Sequence, residues 1–310
     1  MPALSTNTAE REGTLFSQVR FIQAVVRAEA SNVETLKLSS ANSPVHLFAL
    51  QRNHKFNTHS VSLAPFECYA YPIDMDGTQN AVSALVAQLK TFRTLFFHWS
   101  VRFDHCALAD QLERCGLSRQ ESTTQVLYLD RSYDVLFRQF SETTRNQIRR
   151  AYRDGISVSQ TIDMADVASY YALYLAMIGE RKSWSSVYGQ SLFKELIQLR
   201  DDVIFLVAKL EGTVIAGGWF FRDGNSMIYW HGVMDYAFKK YFPQYAVVNY
   251  GIQLASKEEM ETFNMGASMD IVSLEKFKSF WGTKKVPVWM FTWRNPFWSS
   301  LLRLRRRVMR

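Results

Sequence analysis

Between Val203 and Val233 three β-rich runs follow one another, Val203–Leu210, Val214–Arg222 and Ser226–Val233, separated only by Glu211-Gly212 and by Asp223-Gly224-Asn225. Acidic–Gly pairs between runs of β-branched and aromatic residues are hairpin signals, since glycine takes the positive φ of a tight turn without strain. The segment therefore predicts a three-stranded antiparallel meander. Pro243 opens a helix over Gln244–Glu259 whose Val247, Val248, Ile252 and Leu254 can pack on that meander. Helical spacing over Met164–Ile178 and Gly189–Leu199 precedes it, after a strand near Ile156–Gln160, and strands at Thr262–Met265 and Val286–Trp293 follow.

The first half alternates in the same way. Helical spacing spans Leu15–Val33, then strands are expected at Val45–Gln51 and Ser60–Ala64, a helix at Gly77–Phe92, a strand at Leu95–Val101, a helix at Cys106–Cys115 and a strand at Thr124–Leu129. Residues 1 to 14 are expected to be disordered. The fold class is α/β, with mixed α+β sheets. A chain of 310 residues, 47% hydrophobic and 14% aromatic, can bury a large core, and its length favours two domains.

Two segments carry candidate chemistry. In Ser141–Gly155, SETTRNQIRRAYRDG, residues Arg145, Arg149 and Arg153 fall in line on a helix, while Ile148, Ala151 and Tyr152 can face a core; Ser141 or Thr143 is the N-cap candidate and Gly155 the helix stop. A stripe of guanidiniums suits phosphate oxygens, although such a stripe is more often a solvated helix face. The second segment is Phe263-Asn264-Met265-Gly266 followed by Leu274–Gly282, LEKFKSFWG. An RNxIRRAxxxG helix, a strand closing on glycine and then FKxxxG, in this order, resemble the FemABX-type transferases. These are peptidoglycan-bridge aminoacyltransferases and their envelope-associated relatives, a branch of the GNAT acyltransferases. Val61–Tyr69, VSLAPFECY, resembles the family's first-domain strand and turn with one extra alanine, and the resemblance covers roughly residues 45 to 290.

The resemblance implies two tandem GNAT-like halves, residues 15–140 and 141–296, with the last strand free to return to the first half and a basic amphipathic tail over 297–310. It places the residues that hold the acceptor or its phosphates at Lys278, or less surely Lys276, and at Arg181. A lysine there can bind phosphate or stabilise the oxyanion of acyl transfer, and a surface lysine after a tight loop is the plainer alternative. Tyr229 and His231, alternate residues of one strand, are expected on one face, with His231 a candidate general base and a hydrogen-bonded core histidine the commoner reading. Ala216-Gly217-Gly218 leaves its strand open to close approach by a backbone or a ligand, and a bulge that packs against a helix fits at least as well. Acyl-CoA-dependent GNAT enzymes wrap a pyrophosphate in a glycine-rich turn where this chain has Ala237–Tyr245; the glycines are missing, and Lys239, Lys240 and Gln244 remain as phosphate-binding candidates beside a helix start. FemABX members depart from that turn too and take aminoacyl-tRNA.

The formal net charge of +7 favours a polyanionic partner: tRNA, an anionic lipid surface, or a nucleotide-linked precursor. Three cysteines without a CxxC suggest neither a disulfide framework nor a zinc site, and no metal is expected. No basic start followed by an apolar core opens the chain and no run of 18 apolar residues occurs, so a cytoplasmic location is expected. Phe297–Arg310, FWSSLLRLRRRVMR, mixes aromatics and leucines with arginines, as an interfacial helix on the inner face of the membrane would; a frayed basic tail and a nucleic-acid contact fit equally. GxSxG, HExxH and Walker loops are absent, which speaks against hydrolase, zinc-protease and P-loop readings. The expected activity is transfer of an activated acyl group, from acyl-CoA or aminoacyl-tRNA, to an amine of a lipid- or nucleotide-linked envelope precursor of peptidoglycan or polysaccharide. The alternatives are a CoA-dependent N-acetyltransferase of an amino sugar and a non-catalytic tRNA- or membrane-binding protein.

Overall fold

The computed structural model describes residues 14–29, 32–39, 46–63, 65–69, 79–102, 105–180, 188–268 and 271–301. The expected disordered start, Arg181 with its loop, and the arginine-rich end of the tail lie outside these. Two compact units divide the chain, Met1–Ser122 with Pro287–Arg310, and Thr123–Val286.

The first unit holds helix α1 (Val19–Ala28), strands β1 (Val33–Ser39), β2 (His46–His54) and β3 (Thr58–Leu63), helix α2 (Gln79–Leu89), strand β4 (Thr94–Arg102) and helix α3 (Cys106–Arg114). Strand β1 stands where the sequence suggested the end of a helix and a loop. Its alternation over VETLKLS buries Val33 and Leu38, and it pairs antiparallel with β2 from Val33↔Arg52 to Ser39↔His46. Strands β3 and β4 run parallel and, after a shift between His59 and Ser60, stay in register from Ser60↔Phe96 to Leu63↔Trp99.

The second unit continues with β5 (Ser118–Tyr128), α4 (Tyr133–Gln139), α5 (Glu142–Arg153), β6 (Ser157–Gln160), α6 (Met164–Glu180) and α7 (Gln190–Leu196). The meander follows as β7 (Val203–Leu210), β8 (Thr213–Asp223) and β9 (Ser226–Met234), then a 3₁₀ turn at Tyr236–Tyr241, α8 (Pro243–Lys257), β10 (Thr262–Ala267) and α9 (Val272–Ser279). Strand β11 (Lys284–Arg294) runs on into the first unit, where it pairs antiparallel with β4 from Val288↔Arg102 to Arg294↔Phe96. The strands of the second unit lie in the order β5-β10-β9-β8-β7-β6. The turn between β7 and β8 has Glu211 at φ 50° and Gly212 at φ 81°, the two positive values that a tight hairpin demands.

Helix α5 shows how the local sequence fixes an element. Ser141 Oγ accepts from Thr144 N at 3.1 Å, which makes Ser141 the N-cap, and Glu142 stands in the first turn. At the other end Gly155, at φ 92°, donates its N–H to Tyr152 O, and Ile156 N–H reaches Ala151 O at 3.0 Å, a glycine-closed C-cap sealed by the burial of Ile156. Ile148 and Ala151 are buried as expected, but Tyr152 is 39% exposed and stands on the rim. The core beneath α5 and α8 gathers Leu136, Phe140, Ile148, Phe220, Val247, Ile252, Phe263 and Trp281.

Candidate functional site

Strands β9 and β10 are parallel and paired only over Ser226–Ile228 against Thr262–Asn264. Beyond that point β10 stays with β5, through an irregularity between Asn264 and Ala267, while β9 stays with β8. The two strands therefore part beyond this pairing, which leaves a gap in the ladder between their C-terminal halves. Gly266, at φ 74°, sits at the divergence, with its N–H held by Asn264 Oδ1 at 2.8 Å; that oxygen also accepts from Thr124 Oγ1 at 2.6 Å. Positive φ and a local side-chain bond turn β10 outward.

Lys278 of α9 reaches this point. Its Nζ donates to Gly266 O at 2.9 Å and to Ala267 O at 2.7 Å, and the residue is 4% exposed. Burial pushes the ammonium down to about 8, so it is still largely charged at neutral pH. An ammonium has three donors, and two are committed to the carbonyls. Lys276, two residues earlier, is exposed with Nζ 5.8 Å from the Phe280 ring, so the helix sends only Lys278 inward.

Tyr229 and His231 do not share a face. The ladder between β8 and β9 shifts register between Trp219↔His231 and Phe220↔Tyr229, so Trp230 is an extra residue in β9. Tyr229 lies on the α8 side, stacked on Phe220 at 5.1 Å with its hydroxyl accepting from Gln244 Nε2 at 2.6 Å. His231 lies on the α6 side, with Nδ1 2.6 Å from Tyr170 Oη and Tyr174 at 4.8 Å, edge to face. Burial alone pushes its imidazole down to about 4. A sequence pattern of period two hides such an insertion; the small residues on the facing strand, Gly217 and Gly218, are the only local hint.

The cationic candidates divide. Arg145 Nη1 donates to Arg138 O at 2.7 Å and also to Phe140 O, so this guanidinium closes the end of α4 and leaves the stripe. Arg149 is exposed, 5.4 Å from the Phe137 ring. Arg150 and Arg153 share Asp154, at 3.1 and 3.4 Å, and the Arg150 guanidinium lies 5.3 Å from the ring of Phe242, the residue before α8. Lys239 and Lys240 are exposed on the 3₁₀ turn ahead of α8. Gln244 turns inward to Tyr229 and, at 3.4 Å, Gly217 O.

A cavity of about 920 Å³ lies at the opposite end of β10, bordered by Tyr128, Asp130, Arg131, Glu259, Glu261 and Lys284; its lining mixes both signs of charge with Ser132 and Ser256 and does not include Lys278 or His231. In the tail, Trp298 Nε1 donates to Phe92 O at 2.9 Å and Phe297 packs on the Phe92 ring at 5.3 Å, so both aromatics are held within the first unit. Among the described residues no cluster of His, Cys, Asp and Glu could hold a metal ion, and no helix is long and apolar enough to cross a membrane.

Residues 138–279 match the model of an acetyltransferase (GNAT) domain. No curated protein sequence matches the chain. Among solved structures, FemX superposes with a TM-score of 0.73 at 13% identity, over 92% of this chain and 94% of FemX. The C-terminal domain of a candidate lysylphosphatidylglycerol synthetase from Agrobacterium fabrum gives 0.61 at 11%, over 94% and 95% of the two chains. A tandem GNAT protein from the clavulanic acid biosynthesis pathway gives 0.52 at 12%, over 89% and 87%. Two GNAT-like halves are thus the architecture of this chain.

Proposed function

We propose that this chain, which shares the fold of FemX and matches an acetyltransferase (GNAT) domain over residues 138–279, transfers an acyl or aminoacyl group to an amine of a cell-envelope precursor. The observation that carries this reading is the parted β9–β10 pair with Lys278 at its mouth. An acyl group lying in the gap meets an ammonium with one donor to spare. The acceptor nitrogen attacks the ester or thioester carbonyl, charge collects on that oxygen, and Lys278 stabilises it; the leaving alcohol or thiol takes the proton that the amine loses. Holding donor and acceptor together supplies on the order of 7 to 11 kcal/mol in favourable cases, and a cation aimed at the developing oxyanion adds to it.

Aminoacyl-tRNA is the favoured donor. The turn ahead of α8 lacks the glycines that wrap a pyrophosphate, Gln244 is turned inward, and the exposed cations Arg149, Lys239 and Lys240 suit a phosphodiester backbone. The resemblance to FemABX transferases and the names of the superposing proteins point the same way. Calorimetric titration with acetyl-CoA, and separately with charged and uncharged tRNA, at two salt concentrations tests this. Saturable binding that prefers charged tRNA is expected. Tight, salt-tolerant acetyl-CoA binding would instead make the protein a CoA-dependent N-acetyltransferase, and specific binding to neither would favour a non-catalytic binder.

A further inference from the structure

Three segments of the first unit meet at one end of its sheet. The β2–β3 hairpin pairs down to His54↔Thr58 and leaves Lys55-Phe56-Asn57 as its tip. Strand β4 starts beside the foot of β3, where His59 N–H donates to Arg93 O at 2.9 Å, so the loop before β4 lies next to that tip. Strand β11 arrives there from the other direction. Asn295 N–H donates to Leu95 O at 2.9 Å, and its side-chain amide donates to Thr91 O and Phe92 O at 3.2 and 3.3 Å. Asn295 Oδ1 accepts from Phe297 N–H at 3.0 Å, which caps the helical residues 296–301.

These segments turn large apolar side chains to solvent. Phe56 is 88% exposed, Phe92 63%, Phe297 54% and Leu301 49%. Phe92, Phe297 and Trp298 form one cluster, with ring centroids 5.3 to 5.7 Å apart. Phe56 stands outward at φ 60° and Asn57 follows at φ 54°, a left-handed conformation that strains a bulky residue, and Phe56 repays little of it in packing. A single exposed phenylalanine is ordinary, whereas several on adjoining segments at one sheet end mark an interaction surface.

Charge identifies the partner. Lys55, Arg93 and Arg294 are exposed on the same three segments, the last with its guanidinium 5.6 Å from the Phe96 ring. On the neighbouring elements Glu29 is paired with Arg52 at 3.2 Å, and Glu34 accepts from Gln51 and Asn53 at 2.6 and 3.0 Å. No Asp or Glu follows Glu275 in the sequence, and residues 302–310 add five arginines. We propose that this end of the first unit docks on an anionic lipid bilayer. Phe56, Phe92, Phe297 and Leu301 enter the boundary between headgroups and acyl chains, and the surrounding lysine and arginines pair with lipid phosphates. Leu301 beside the phenylalanines suits acyl chains better than bases, which stack on aromatic faces. Docking holds the protein where a lipid-linked acceptor lies, and the binding itself needs no transfer reaction.

Flotation with vesicles of phosphatidylcholine, with and without about one-third phosphatidylglycerol, reads the binding. The intact chain is expected to float with the anionic vesicles and to be released as salt rises. Phe56→Ser with Phe92→Ser should weaken this partition roughly ten-fold or more. Arg305→Gln with Arg306→Gln should weaken it roughly twenty-fold, since one basic residue near such a surface is worth about five-fold. Phe56→Trp reports insertion: brominated acyl chains should quench it beyond the parent's own signal, and this readout carries the test if a serine variant fails to fold. Absence of binding, equal binding to the neutral vesicles, or binding indifferent to the phenylalanines would overturn the proposal. So would a concentration-dependent dimer, or tRNA binding, that Phe92→Ser abolishes, because the patch then serves a second copy or a nucleic acid. Flotation uses neither acyl donor nor acceptor, so its failure leaves the transfer reading intact, and a failed transfer assay leaves docking intact.

Discussion

Gly232→Ala is the sharpest test of the arrangement around β9. A Cβ at this position would lie 1.9 Å from Tyr229 Oη, 2.8 Å from Tyr229 Cζ and 2.7 Å from Gln244 Nε2. The phenol cannot stay, and moving it breaks its 2.6 Å hydrogen bond with Gln244 beneath a packed α8. Overpacking of this kind costs about 1–3 kcal/mol, and stranding a buried polar partner costs a further 1–3 kcal/mol or so. A total of about 2–6 kcal/mol corresponds to a melting temperature lower by roughly 4–24 °C in a unit of this size. Calorimetry on the parent, Gly232→Ala, Tyr229→Phe and the double variant makes a closed cycle. Tyr229→Phe removes the clashing oxygen but leaves the ring carbon at 2.8 Å, so the double variant should recover part of the loss, with a coupling above about 0.5 kcal/mol. If Gly232→Ala melts within about 1 °C of the parent, the bulged register of β9 is wrong, and with it the separation of Tyr229 from His231.

Lys278→Met should cut transfer by roughly a hundred-fold or more in a steady-state assay. Its stability should stay within about 2 kcal/mol of the parent, because relieving a buried ammonium offsets the loss of two carbonyl partners. The sign follows from linkage: the folded value of about 8 lies below the ordinary lysine value of 10.5, so the unfolded chain holds more protons between them and stability rises with pH through that window; Lys278→Met should flatten the rise in urea melts. For His231 the unfolded ring takes a proton near 6.5 that the folded ring refuses until about 4, so stability falls as pH drops through that interval. The full loss is about 3 kcal/mol, and an unchanged slope in His231→Gln would show that the ring is not buried as described. Glu259, exposed and at φ 56° after the end of α8, should become glycine with a gain of about 0.5–1 kcal/mol; a loss on thermal unfolding would refute the left-handed cap.

The meander was legible because its turns are local: Glu211-Gly212 and Asp223-Gly224 set two hairpins whatever else the chain does. Helix α5 was legible for the same reason, with a serine at one end and a glycine at the other. Strand β1 was missed because VETLKLS follows an amphipathic helix and its pattern fits either period over so few residues. The fate of Arg145 was hidden because its partners are backbone carbonyls, which no side-chain pattern reveals. Tyr229 and His231 were misplaced on one face because a bulge adds a residue without a sequence signature of its own. Lys278 was singled out by a motif, whereas its depth comes from α9 folding back over the end of β10.

The gap itself depends on a contrast in pairing between the two units. In the first, β3 and β4 continue in register through Ser62↔His98 to Leu63↔Trp99, and side chains tie the ladder across, Ser62 to His98 at 2.8 Å and His59 to Thr94 at 2.9 Å. In the second, the equivalent parallel pairing stops at Ile228↔Asn264. A strand that leaves its neighbour exposes carbonyls that need donors. Gly266 and Ala267 present two such carbonyls, and Lys278 satisfies both. The pair can thus stay open with these two carbonyls satisfied, and the bonds that satisfy them are the same ones that fix the ammonium there. A neutral residue at 278 can replace the volume of the lysine but not its donors, so closing the gap between the strands, or flooding it with water, becomes the alternative to the parted state.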